Sequence, residues 1–225
     1  MNFDDFDVWW RERGDENRLP QMRAQLEQAL SHKVSRDIEY SIRWRLARLH
    51  HFQAMRNEND NFVARRFFEE AENEARRAVS LNANDVAGQF WLGVCELEAA
   101  RTRHKIGALW ALPRAKRHLK SALQLDESFH FAGAWRVLSR IEALSPLDSK
   151  PRALKFYRRA LEIAPHNSTT QLYFAELLLK LKQRDEAQKV LREIVSQDVD
   201  VEWKWEQARD KTIAARLLKL NEPRA

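Results

Sequence analysis

The stretch Ala153-Leu154-Lys155-Phe156-Tyr157-Arg158-Arg159-Ala160-Leu161-Glu162-Ile163-Ala164-Pro165 decides the fold. Ala153, Tyr157 and Ala160 stand at i, i+4 and i+7, the spacing of one helix face. Two of the three are alanines, so a second helix can approach closely, and Pro165 ends the run. The same spacing recurs in Ala71-Ala75-Ala78, Ala115-Leu119-Ala122 and Ala187-Leu191-Ile194. The first residues of the four runs lie 44, 38 and 34 positions apart. Three runs share an ending: Val79-Ser80-Leu81-Asn82, Leu123-Gln124-Leu125-Asp126 and Leu161-Glu162-Ile163-Ala164-Pro165. Repeats of this length mark arrays of helix pairs.

Each run has a partner helix upstream with its own apolar stripe: Trp91-Leu92-Gly93, Trp135-x2-Leu138-Ser139 and Leu172-Tyr173-Phe174-Ala175-Glu176-Leu177-Leu178. Small residues at Gly93, Ser139 and Ala175 fall where paired helices would cross. The pattern predicts helices over about 20–33, 36–57, 61–82, 84–104, 113–125, 129–145, 150–163, 168–182, 185–197 and 203–221. Asn84 or Asp85, Ser149, Asn167 or Ser168, and Asp185 are the expected caps, with Pro113 and Pro151 in first turns. The expected fold is an all-α, right-handed α-solenoid of about four antiparallel helix pairs with capping helices at both ends. Residues 1–19 form an acidic, aromatic N-terminal segment and 20–221 one helical-repeat domain. Its units are 41–83, 84–127, 129–165 and 168–199, and a cap helix over 203–221 covers the last apolar face.

This pattern resembles the tetratricopeptide repeat, a helix–turn–helix unit with W-x2-L-G and A-x3-F-x2-A-x4-P signatures. Trp135, Leu138, Ser139, Ala153, Tyr157, Ala160 and Pro165 fit in order, with two extra residues before Ala153. The first two units depart from it, each with roughly ten extra residues between its helices. In unit two the extra residues lie in Arg101-Thr102-Arg103-His104-Lys105-Ile106-Gly107-Ala108-Leu109-Trp110-Ala111-Leu112-Pro113-Arg114-Ala115-Lys116. They precede His118-Leu119-Lys120-Ser121-Ala122, Phe131-Ala132-Gly133-Ala134-Trp135 and the stripe from Leu172. That order and those lengths resemble the T-component proteins of TRAP transporters and, more distantly, the TPR-like regulators of microtubule dynamics. The resemblance covers about 41–220 and implies a protein-binding domain. For the T-component family it implies binding a solute-binding subunit in or near the periplasm.

Composition excludes much else. The chain has 225 residues, 44% apolar and 32% charged, so it is a soluble globular chain long enough to bury a core. With 5 Gly and 6 Pro, an all-β fold lacks its turns, and no phosphate-cradling glycine motif occurs. The single Cys95 rules out an internal disulfide and a cysteine-built zinc site, and it reads as a small buried hydrophobe. No apolar run is long enough to span a membrane. The acidic start, Met1-Asn2-Phe3-Asp4-Asp5, lacks the basic and apolar regions of a leader, so a cytoplasmic protein is expected. No H-E-x-x-H or G-x-S-x-G is present, and adjacent His50 and His51 point about 100° apart on a helix. Neither an enzyme nor a cofactor is expected.

Three features bear on partners. Repeat geometry places the first helix of each pair on the concave face, which assigns Arg45, Phe52, Arg56, Phe90, Arg101, Arg136, Arg140, Leu172 and Glu176 to an Arg-bearing groove. Guanidinium forks suit carboxylates and aromatic faces, although the arginines could instead pair with Glu142 or Glu176 inside the array. The stretch from Ala99 to Gln124 holds seven positive charges and no acid. Its Arg103, Lys105, Trp110, Arg114, Lys116, Arg117 and Lys120 form a basic lobe suited to an acidic partner or a second subunit. Nucleic acid is disfavoured there because no reading motif accompanies the charges. Residues 1–16 carry six acids and the aromatics Phe3, Phe6, Trp9 and Trp10. Aromatics at that density must be buried somewhere, so the segment is expected to dock, in cis or on a neighbouring molecule.

The expected function is a non-enzymatic scaffold or adaptor that holds an extended or helical, possibly acidic, protein segment in the groove. Alternatives are a T-component-like transporter accessory and a binder of a small hydrophobic ligand in a channel near residues 101–120.

Overall fold

In the computed structural model, residues 3–103, 107–145 and 149–221 are described. Among them the chain is all-α, with eleven helices and no strand. The helices are α1 (Asp4–Arg11), α2 (Arg18–Leu30), α3 (Arg36–Arg56), α4 (Asn61–Leu81), α5 (Val86–Arg103) and α6 (Gly107–Leu125), then α7 (Phe129–Leu144), α8 (Lys150–Ile163), α9 (Ser168–Lys180), α10 (Arg184–Ser196) and α11 (Lys204–Leu220). The chain divides into two compact units, Met1–Phe129 and His130–Ala225.

The repeat runs are the glue of the helix pairs. All twelve quoted positions, from Ala71 to Ile194, are 0% exposed. In the first unit α3 packs on α4, α4 on α5, and α5 on α6. In the second, α8 packs on α9, α9 on α10, and α11 on both α9 and α10. The extra residues of the first two units lengthen helices rather than form loops. α3 and α4 have 21 residues each, and α5 and α6 have 18 and 19, against 13 in α9 and α10.

Local signals account for most boundaries. Ser35 caps α3 through the amide of Ile38, and Asp60 caps α4 through Phe62 and Val63. Asn167 caps α9 through Thr170, one of the two expected candidates. Asp85 accepts from the Ala87 amide at the start of α5. Ser149 stands at the N-cap position of α8, as expected, but its hydroxyl donates to the Glu142 carbonyl and makes no cap bond to the first turn. α6 starts six residues before the expected position, so Pro113 lies inside it. Gly107-Ala-Leu-Trp-Ala-Leu ahead of the proline carries enough helix formers to absorb the lost hydrogen bond. The aromatic N-terminal segment contains a helix, α1, that the repeat pattern does not reach.

Gly93 marks the crossing of α5 over α6. A Cβ there would lie 2.8 Å from Leu119 Cγ and 3.1 Å from the Ala115 carbonyl oxygen. Gly93→Ala is therefore expected to cost about 1–3 kcal/mol through overpacking, despite alanine's better helix propensity. A urea midpoint equal to or above that of the wild type would show that the crossing has slack.

In the second unit, α11 covers the last pair as expected of a cap. Ala214 is buried and Ile213, Leu217 and Leu218 pack on the cluster of Leu172, Leu177, Leu178, Leu191 and Ile194. α7 opens unusually: His130, Phe131 and Ala132 have φ of 54°, 57° and 55°. Left-handed backbone at three non-glycine residues costs about 1–2 kcal/mol each, so neighbouring contacts must hold it.

Candidate functional site

The Arg-bearing face of α3 is built and filled. Arg45, Arg48, Phe52 and Arg56 lie one to two turns apart along it, and α1 runs beside them in the same direction. Asp7 bonds Arg45 at 2.9 Å and Arg48 at 3.2 Å. Arg48 stacks over the Trp10 ring at 4.0 Å, and Arg45 over Phe3 at 4.3 Å and Trp44 at 4.2 Å. Trp10 meets Phe52 edge-on at 5.7 Å. Beyond α1, Arg56 bonds the Gly14 carbonyl and Glu16 at 3.1 Å each. Phe6 and Trp10 are buried, as is Arg13, which donates to the Trp10 carbonyl and stacks on its ring; Trp9 is half-buried with Arg18 over its ring. The acidic, aromatic segment thus covers this face of α3 in cis. Arg48 was not among the residues assigned from sequence, although it continues the i, i+3, i+7, i+11 series from Arg45. Burial pushes its guanidinium down to about 9, against the pull of Asp7.

The other groove positions divide. Phe90 is buried between Trp91 and Phe129. Arg101 is exposed and pairs with Glu98 on its own helix at 2.7 Å. Arg140 pairs with Glu176 at 2.5 Å and stacks over Tyr173 at 4.3 Å, one of the internal pairings the sequence allowed. Leu172 is a core residue of the second unit. Arg136 is 6% exposed; it donates to the Phe131 carbonyl at 3.1 Å and reaches the His130 carbonyl and Asn167 Oδ1. Its guanidinium lies 5.2 Å over Trp203, and burial pushes it down to about 10. Trp203 and Asp210 complete this arrangement. Trp203 Nε1 donates to Thr169 Oγ1 at 2.9 Å, and buried Asp210 accepts from Ser168 at 2.8 Å and Thr169 at 2.5 Å. No repeat position announces either residue.

The basic lobe keeps its charge on one side of α6 only. Arg103 pairs with Glu69 at 3.0 Å and Glu72 at 2.6 Å, and Arg114 lies 3.6 Å from Glu96. Glu72 and Glu96 are buried carboxylates bridged by Arg76 at 2.8 Å to each. Nothing in the sequence spacing of these acids shows that they are buried. Trp110 is 78% exposed; Arg117 and Lys120, on the same helix face, are exposed. Leu109 is also exposed, and Lys116 is half-buried. Lys105 lies outside the described residues. The face from Trp110 through Arg117 and Lys120 to Gln124 contains no acid, and none lies anywhere on α6.

Chemistry-bearing residues elsewhere are tied up in packing. His50 is buried, stacked on Phe67, with Nδ1 3.2 Å from Gln53 and 3.4 Å from Glu70. His51 faces Phe68 and Trp91 instead. Burial pushes the Cys95 thiol well up, so it is not poised as a nucleophile. Among the described residues no three metal-binding side chains converge. No described helix is long and apolar enough to cross a membrane. An open cleft in the second unit is lined by Trp135, Leu154, Lys155, Phe156, Arg158 and Arg159, none of them from the 101–120 region proposed for a ligand channel.

Compared with known families, residues 13–221 match the family described as regulator of microtubule dynamics protein 1-3. No curated protein matches the chain.

Proposed function

Because the chain belongs to the regulator of microtubule dynamics protein 1-3 family, we propose that it is a non-enzymatic protein-binding regulator acting on the microtubule system in the cytoplasm. In this reading its contact surface is the acid-free face of α6. Trp110 is the anchor and Arg117 and Lys120 supply the charge for an acidic protein surface. The observation that carries the reading is Trp110 itself. A tryptophan 78% exposed beside unneutralised cations leaves a large apolar ring in water. Trp and Arg are the residues that most often dominate binding energy when a partner covers them. The groove arginines support this choice by contrast, because the described ones on α3 and α7 already hold internal partners.

The test is co-sedimentation of the full chain with stabilised microtubules across a salt series. Trp110→Ala and, separately, Arg117→Glu/Lys120→Glu are each expected to weaken binding at least tenfold with the melting temperature unchanged. The charge-reversed variant should also flatten the salt dependence. Arg114 is left intact because it pairs with buried Glu96. Equal sedimentation of all three proteins would move the contact off α6, and no sedimentation of the wild type would remove the polymer as the direct partner.

A further inference from the structure

We infer that the arginine-aromatic face of α3 is a docking site for an acidic, aromatic helix of a protein partner, and that α1 is its detachable internal occupant. The site is separate from α6 and does not depend on the reading above.

Four observations carry this. First, α1 satisfies the site only in part. Asp7 is the one described carboxylate that meets both Arg45 and Arg48, and the Nε atoms of both arginines are buried without a hydrogen-bond partner. Buried donors left unmade favour any occupant that brings a further carboxylate. Second, the Asp7 side chain is half exposed, so its ion pairs are open to competition from water and other anions. Third, α1 has little stability of its own. It has eight residues, no side-chain cap on its first turn, and few contacts with α2. A helix this short does not persist in water once released. Fourth, the turn at 12–17 that follows α1 is held separately, by its own backbone bonds, by buried Arg13 and by Arg56 at the Gly14 carbonyl and Glu16, so it anchors the chain ahead of α2 when α1 leaves. Release of α1 therefore requires no rearrangement of the α3–α4–α5 pairs.

The chemistry of the replacing helix follows from the occupant. It needs two aromatic side chains four residues apart, as Phe6 and Trp10 are. It needs a carboxylate next to the first, as Asp7 is, and a second one turn later, at the position of Arg11. Arg11 is exposed on the Asp7 side of α1, so an acid there would stand beside the Arg48 end of the site.

The probe is a fluorescent peptide of residues 1–16, titrated with the full-length chain. The wild-type chain, whose own α1 competes, is expected to bind it weakly. The Trp10→Ala chain is expected to bind it at least tenfold more tightly. Within the peptide, Asp7→Ala should weaken binding at least tenfold and Arg11→Glu should strengthen it about threefold or more. Equal binding by the two chains, or by the wild-type and Asp7→Ala peptides, would overturn the proposal. Should the Trp10→Ala chain lose cooperative unfolding, hydrogen exchange on the wild type decides. Amides of α1 exchanging at least a hundredfold faster than those of α3 support detachment, and equal protection refutes it. A concentration-dependent dimer of the wild type that forms by exchanging α1 would make a second copy the occupant, and would also overturn the partner assignment.

Discussion

Arg136→Glu is expected to unfold the second unit, with a loss of about 4 kcal/mol or more. The guanidinium is buried and donates to the Phe131 and His130 carbonyls and to Asn167 Oδ1. The left-handed backbone at His130–Ala132 withdraws the His130 and Phe131 carbonyls from ordinary helix bonding, and Arg136 reaches back to both. It also reaches Asn167 Oδ1, which caps α9, and lies over Trp203 at the start of α11. One side chain thus ties the beginnings of α7, α9 and α11 together. Glutamate in its place has only acceptors to offer. It would face two carbonyls, an amide oxygen and the buried Asp210 carboxylate region without any donor. Breaking such a buried charge arrangement costs about 3–5 kcal/mol, and the reversed charge adds its own desolvation. Arg140→Glu should cost less, because its side chain is one-third exposed, although it would set two carboxylates together at Glu176. Hydrogen exchange across α7, α9 and α11 separates the two variants, with protection lost throughout for Arg136→Glu alone. A loss under about 1 kcal/mol for Arg136→Glu would mean that the carbonyls find water. The consequence for function is direct: charge reversal at Arg136 tests folding, and it does not report on partner binding.

That outcome shows where reading the sequence stops. The i, i+4, i+7 runs were legible because packing two helices imposes small side chains at fixed spacing, and all twelve positions are buried. Helix boundaries followed wherever one residue supplies the signal, as Asn167 does for α9. Counting along the repeat assigned residues of α3, α7 and α9 to inner faces. It gave no information on what fills those faces. Asp7, Trp10, Trp203 and Asp210 come from segments outside the repeat, and their contacts follow from where the chain ends fold back. The same holds for Glu72 and Glu96, which look like ordinary helix-surface acids until α4, α5 and α6 bring Arg76, Arg103 and Arg114 to them. α1 was missed as a helix because eight residues carry little intrinsic preference, and packing on α3 supplies the rest. The basic face of α6 was legible from charge alone, since the helix has no acid of its own. Its exposed Trp110 was not, because an apolar residue between cations reads equally well as buried.

Mild acid is expected to destabilise the first unit, and His51 is the residue that makes it do so. Its ring lies against Phe68 and Trp91, 5.6 Å and 5.5 Å away, and burial lowers its pKa from 6.5 to about 4. No nearby charge contributes to that shift; the whole cause is the cost of an imidazolium among aromatic side chains. The sign follows from proton counts. Between pH 6.5 and 4 the unfolded chain binds a proton at this position and the folded chain does not. Stability therefore rises with pH in that window, is fully present above about 6.5, and is lost as pH falls towards 4. The full loss is at most about 3 kcal/mol at one proton per transition. His50 and His118 add to it in the same direction, because burial lowers both of their pKa values as well. His51→Phe keeps the ring contacts and removes the proton site, so it should flatten the stability profile between pH 7 and 4.5. At pH 7 it should remain within about 1 kcal/mol of wild type. Urea denaturation at half-unit pH steps measures both. A variant that loses stability in acid as steeply as the wild type would place the sensitivity at His50 and His118 instead, whose pKa values burial also lowers.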